Sequence, residues 1–224
     1  MMKQRSNFVL RTFTGAIFVM VILASMLNFW SFCAVMTVLM VLSVYEYQQL
    51  IRQNNHRFNH SSWIYLYISV PFACLVFMHS IDPMFPLAVF TFVWVHDTFS
   101  YLSGMAFGKT KLCERISPKK TWEGFFGGFT ASILTGLAFC YFTTGQLALS
   151  ETLIWIGMAI VVIVAGTIGD LLESAFKRRL QVKDSGTLLP GHGGFLDRLD
   201  SVLLAAPVAL IYLLLVSYFS GVKI

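Results

Sequence analysis

The chain reads as an all-α integral membrane protein, a polytopic bundle of about seven transmembrane helices with two cytoplasmic loops bearing the candidate active site. Three observations lead there. Hydrophobic residues make up 57% of the 224 positions and charged ones 12%, and the mean hydropathy of +0.72 lies outside the ordinary range of water-soluble domains. Uncharged apolar runs recur at close to the ~20 residues that a helix needs to cross ~30 Å of hydrocarbon. The runs are continuously apolar, whereas the strands of a membrane barrel alternate over about ten residues. A soluble enzyme and a disordered tail are excluded by the same arithmetic. Cys33, Cys74, Cys113 and Cys140 are too dispersed for a disulfide scaffold or a metal knuckle, and read as small hydrophobes.

In order, the runs cover residues 12–27, 29–44, 63–78, 84–102, 124–142, 153–172 and 201–219. Only Asn28 separates the first two, which predicts a tight hairpin. Lys3, Arg5 and Arg11 precede the first run as in a secretory leader, but no small-x-small cleavage site precedes the second, so the first is read as a span. The 16 Lys and Arg residues then fix the orientation. Three lie before the first run, Arg52 and Arg57 after the second, five between the fourth and fifth, and five between the sixth and seventh. Only Lys223 falls on the other side, and the loops around Asn28, Asp82 and Glu151 have no basic residue. Basic loops are retained in the cytoplasm, so the N-terminus and both long loops are expected there.

Two ionisable acids interrupt the runs, Asp97 in the fourth and Asp170 in the sixth. Intramembrane carboxylates are costly and usually functional. By this topology both lie near the cytoplasmic ends of their helices. The start of the seventh helix brings Asp197 and Asp200 to the same depth, on one face if the helix begins by Asp197. Four converging carboxylates repel unless a cation sits among them or some are protonated. Oxygen-only ligands favour Mg²⁺ or a similar hard ion over zinc.

In the first long loop, Ser117-Pro118-Lys119-Lys120-Thr121 carries a helix-start signal. Ser117 is expected to cap, Pro118 to take the first helical position, and the exposed amides with Lys119 and Lys120 to make an anion site suited to a triphosphate. The glycines of Gly124-Phe125-Phe126-Gly127-Gly128 have the small-xxx-small spacing of close helix packing. In the second loop, a sixth helix continued past the membrane places Asp170, Ser174 and Lys177 on one stripe. Arg178, Lys183 and Arg198 add positive charge, and Pro190-Gly191-His192-Gly193-Gly194 can bring backbone amides to an anion. His192 is a candidate phosphate donor or proton-transfer group, and Arg179 is expected to face solvent or headgroups.

The run Ser174-Ala175-Phe176-Lys177-Arg178, four residues, Lys183-Asp184-Ser185-Gly186, then Leu189-Pro190-Gly191-His192-Gly193-Gly194-Phe195-Leu196-Asp197-Arg198-Leu199-Asp200 resembles the signature of the phosphatidate cytidylyltransferases, or CDP-diacylglycerol synthases. Asp97, Gly104, Gly108 and the 116–124 segment are similar to that family as well, so the likeness covers residues 95–201. It implies one membrane-embedded domain over 1–224, with N-terminal spans (1–94), a catalytic region (95–201) and a last span (202–224). It implies CTP and phosphatidic acid as substrates, CDP-diacylglycerol and pyrophosphate as products, and the inner face of the cytoplasmic membrane as the place. By the same resemblance Asp170 and Asp197 hold Mg²⁺, Asp200 and Asp97 complete its shell, and a second cation, monovalent included, is allowed. Lys177, Arg178, Lys183 and Arg198 then divide between lipid phosphate and triphosphate, with Ser117, Lys119, Lys120, Thr121 and His192 on the nucleotide or phosphate side and Asp170, Lys177, Asp197 and Asp200 as the catalytic set. A homodimer and no nucleic-acid partner are implied too. Two alternatives stand beside this: a related nucleotidyltransferase acting on another lipid phosphate, and a cation or proton transporter lined by Asp97 and Asp170.

Overall fold

A computed structural model describes residues 2–53, 63–182, 184–186 and 193–220. Seven helices occur among these residues, one for each apolar run: α1 (Met2–Ser25), α2 (Phe29–Gln53), α3 (Trp63–Ile81), α4 (Met84–Phe107), α5 (Trp122–Thr144), α6 (Leu149–Arg179) and α7 (Leu196–Ser220). Five of them, α2, α3, α5, α6 and α7, are long and apolar enough to cross a bilayer. α4 falls short because it carries His96, Asp97, Ser100 and Ser103 among its hydrophobes, and α1 contributes an apolar stretch over its described side chains, Phe13–Ser25. The outer surface is apolar, with Phe99, Leu134, Val164 and Leu215 all exposed. Trp30, Trp63, Phe142, Tyr218 and Phe219, near helix ends, are each more than three-quarters exposed, which suits an interfacial aromatic belt. The chain is an all-α, multi-pass membrane protein.

The short connections are made as the sequence implies. Asn28 accepts the Trp30 amide at 2.9 Å and Asp82 accepts the Met84 amide at 2.8 Å, so each turn supplies an acceptor to the next helix's free donors. α5 ends on Gly145 in the left-handed conformation (φ 71°), as helix C-termini commonly do. His79 of α3 stacks on Phe32 of α2, ring centroids 4.6 Å apart.

Two helices extend well past their apolar runs. α2 continues from Val44 to Gln53 and α6 from Leu172 to Arg179, so Glu46 and Glu173 join Asp97 and Asp170 as helical acids, and both are buried. The first long loop departs from its expectation. Ser117 neither caps a helix nor precedes a first turn at Pro118. Instead β1 (Lys111–Cys113) and β2 (Ser117–Thr121) form an antiparallel hairpin, and the cap is Thr121, whose side chain accepts the Gly124 amide at 3.2 Å. Glu123 fixes the hairpin to the helix by accepting the Lys109 and Thr110 amides at 3.1 Å. Pairing of 117–121 with 111–113 satisfies backbone groups that a helix would otherwise have used.

α4 packs along α5 and α6 along α7. The buried stripe of α5 is Gly124, Gly128, Ser132, Gly136 and Cys140, one small residue every fourth position. A Cβ on Gly128 would lie 2.5 Å from the His96 carbonyl oxygen, and one on Gly124 would lie 2.7 Å from that of Ser100. The predicted packing role of these glycines is observed directly.

Candidate active site

The charged residues gather where α4, α6 and α7 meet the hairpin. Gly169 lets α7 approach α6 so closely that a Cβ there would stand 2.7 Å from the Asp200 carbonyl oxygen. That crossing sets Asp170 beside the first turn of α7, and Asp200 lies within electrostatic reach of both Asp170 and Asp97. Asp170 is paired with the Lys120 ammonium, delivered from β2. Its other oxygen accepts from Ser174 Oγ at 3.2 Å, so the stripe of Asp170 and Ser174 is formed.

Asp197 is more enclosed. Its Oδ1 accepts from Lys177 Nζ at 2.6 Å, and its Oδ2 from the Ser185 and Gly194 amides at 2.9 and 3.0 Å. Lys177 also contacts Glu173 Oε1 at 3.1 Å, one turn back on α6. The side chains of Lys177, Glu173 and Asp197 are 11%, 6% and 10% exposed. One ammonium is thus shared by two carboxylates in a place where an unpaired charge would cost several kcal/mol. The four predicted acids come together at one end of the bundle: Asp170 pairs with Lys120, Asp197 shares Lys177 with Glu173, and Asp200 lies within electrostatic reach of Asp170, Asp97, Glu173 and Lys177.

Two spaces meet at Asp97. A cavity of about 380 Å³ is lined by His96, Asp97, Lys119, Lys120, Thr121 and Thr167 among others. A cleft of about 210 Å³ is lined by Asp97, Asp197, Arg198, Asp200 and, from α1, Thr14 and Phe18. Thr14 and Phe18 also border an apolar groove of about 410 Å³ between α1 and α2. A cavity with two lysines on its wall, a cleft with three aspartates and an apolar furrow therefore follow one another.

The remaining candidates fall as follows. Lys119 is exposed on the cavity wall and Thr121 is buried as the helix cap. Ser117 sits in β2 opposite Cys113. Arg178 is exposed, its Nε donating to the Ile116 carbonyl at 3.5 Å, which links the end of α6 to the hairpin. Arg198 lies on the cleft. Lys183 and His192 lie outside the described residues. Sequence reasoning missed His96, whose Nε2 is 3.3 Å from Ser100 Oγ and 3.4 Å from Thr167 Oγ1, and it missed Glu46 and Glu173. Glu173 had a signal in its i, i+4 spacing to Lys177. Glu46 had one in the helical period of its buried neighbours Leu39, Ser43 and Leu50.

Carboxylate oxygens without histidine or thiol are the right donors for a hard cation. Among the described residues, no three His, Cys, Asp or Glu side chains stand close enough to hold an ion by themselves. Mg²⁺ ordinarily takes one or two carboxylates and fills its shell with water and phosphate oxygens, so the donor set suits a hard ion of that kind.

Fold and site define a polytopic membrane protein with a charged centre set between its helices at one end of the bundle. The chain belongs to the cytidylyltransferase family, whose family model matches residues 79–216. That match spans α4 to most of α7 and includes every charged site residue named above except Glu46. The chain is similar to the phosphatidate cytidylyltransferase of Staphylococcus aureus strain COL, 45% identical over 128 residues, or 57% of this chain and 48% of that protein. It is also similar to that of Haemophilus influenzae, 43% identical over 122 residues (54% and 42%), and to that of Staphylococcus epidermidis, 38% identical over 168 residues (72% and 63%). The chain spans about half the length of the curated relatives it matches.

Proposed function

We propose that the protein is a phosphatidate cytidylyltransferase that makes CDP-diacylglycerol and pyrophosphate from CTP and phosphatidic acid. The observation that carries this reading is that a cavity walled by Lys119 and Lys120 and a cleft walled by Asp197, Arg198 and Asp200 share Asp97, with the cleft bordering an apolar groove through Thr14 and Phe18. One substrate of such a reaction is water-soluble and highly charged, the other is anchored by its acyl chains, and the two must meet at one phosphorus atom. The relatives' shared name and the 174–200 signature support the same reading.

The triphosphate lies in the cavity against Lys119 and Lys120. The lipid lies with its phosphate in the cleft near Arg198 and its chains toward the α1–α2 groove. A phosphate oxygen of the lipid attacks the α-phosphorus of CTP; the new P–O bond forms as the α,β-bridging bond breaks, and its electrons leave with pyrophosphate. The lipid phosphate is already an oxyanion near neutral pH, so no strong base is required, and positioning and charge stabilisation dominate. One or two carboxylates from the set Asp170, Asp197, Asp97 and Asp200 would hold Mg²⁺, with water and substrate phosphate completing its shell, and the ion when bound would neutralise charge on the phosphates. The basic loops face the cytoplasm, which places the cavity where CTP is available.

The test is purified protein in vesicles with radiolabelled CTP and phosphatidic acid, with and without Mg²⁺. Lipid-linked CDP and pyrophosphate should appear in equal amounts, only with the divalent ion, and Asp170→Asn should lower the rate at least about 100-fold. Label entering only another lipid phosphate, such as a polyprenyl phosphate in a parallel vesicle, would replace the substrate; no product with either would overturn the reading.

A further inference from the structure

Glu46 lies on α2, outside the segment that matches the family. Its residue is wholly buried, at 0% exposure. Its Oε2 accepts the Leu196 amide, the first of α7, at 2.8 Å, and the Ser185 hydroxyl at 3.1 Å. Ser185 is therefore held twice, by its hydroxyl to Glu46 and by its amide to Asp197. The backbone closes on the carboxylate from both described sides of this segment. A Cβ on Gly186 would be 2.1 Å from Glu46 Oε1, and one on Gly194 would be 2.3 Å from the same atom. A carboxylate at the first amides of a helix is favourably placed. A buried one nonetheless carries a desolvation cost that something must offset.

We propose that Glu46 is the positioning residue of the site: from α2 it fixes the start of α7, and with it the places of Asp197 and Asp200, through Leu196 and Ser185. It touches no substrate. Neither space that receives the substrates is lined by Glu46, so its loss should displace the acids and leave nucleotide binding nearly intact. A misplacement of about 1 Å costs on the order of 100-fold in rate.

This inference rests on the proposed activity for its kinetic arm alone, and backbone hydrogen exchange provides an arm that does not. In the vesicle assay, Glu46→Ala should lower kcat about 100-fold with KM for CTP within about threefold of the parent. Glu46→Gln keeps an oxygen able to accept both bonds and should recover to within about fivefold of the parent. A purely structural residue would instead reduce the yield of folded protein at unchanged kcat. Gly186→Ala should impair the parent but add little to Glu46→Ala, since the three atoms nearest the added carbon, at 2.1, 2.7 and 2.8 Å, all belong to Glu46. If the parent makes no CDP-lipid, the activity reading fails and exchange decides: Glu46→Ala should speed exchange across 193–199 at least about tenfold while α4 and α5 stay protected. If Glu46→Ala does not fold, Ser185→Ala takes its place with the same expected split between kcat and KM. A folded Glu46→Ala with kcat within about threefold of the parent, a Gln variant as damaged as the Ala variant, unchanged exchange at 193–199, or a Ser185→Ala of parental kcat in that last case would each overturn the proposal.

Discussion

Lys177 is held between Glu173 and Asp197 at 3.1 and 2.6 Å, and the consequences of removing it follow from burial. Lys177→Met leaves two enclosed carboxylates without a cation, and breaking a buried pair in this way costs about 3–5 kcal/mol. The expected result is a marked drop in the thermal unfolding midpoint in detergent, with Lys177→Met/Glu173→Gln recovering part of it because the second change removes one of the stranded charges. Asp97 and Asp170 stood out in the sequence because charge in an apolar run is conspicuous, and Asp197 and Asp200 because they directly precede the last run. Their partners were not. Nothing in the spacing of Lys120 and Asp170, 50 residues apart, says that the hairpin turns toward α6. Glu46 escaped notice because it stands two residues beyond the apolar run that ends at Val44, where a charge ordinarily marks the membrane surface.

At the level of elements, the α4–α5 contact shows how small residues set distance, and it separates two kinds of glycine. A Cβ at Gly127 would clash with the Ser103 side chain, at 2.1 and 2.4 Å, and meet the Phe99 backbone oxygen at an ordinary 3.6 Å, whereas one at Gly128 would meet the His96 backbone oxygen at 2.5 Å as well as Ser100 Oγ at 2.2 Å. Overpacking of this sort costs about 1–3 kcal/mol. Gly127→Ala should therefore be rescued by Ser103→Gly, while Gly128→Ala should not be rescued by Ser100→Gly, and melting curves of the four variants check both statements. The helices themselves were legible from apolar runs, and each run became one helix. The hairpin was not, because Ser-Pro-Lys-Lys-Thr satisfies the local rules for a helix start. Pairing with Lys111–Cys113 and the cap at Thr121 override that local preference, a decision made by residues several positions away.

Over the whole molecule, charge and hydropathy act together. The site lies at the end of the bundle that carries the hairpin and the basic end of α6, while the turns at 26–28, 82–83 and 145–148 carry no Lys or Arg. In a background lacking the native cysteines, Lys119→Cys and Arg179→Cys should react with a membrane-impermeant maleimide only after the cytoplasmic side is opened. Gln146→Cys should react in intact cells. The reverse pattern would invert the proposed orientation. Bonds that reach across the molecule also order events in time. Glu46 meets Ser185 and Leu196 across 139 and 150 residues of chain, so during synthesis α2 enters the bilayer long before either donor exists. Its acid then stays without these donors through the making of four more helices, although α2 itself packs chiefly on α3. Completion of the acidic centre is thereby a late step of biogenesis, which denies a half-made chain a working centre.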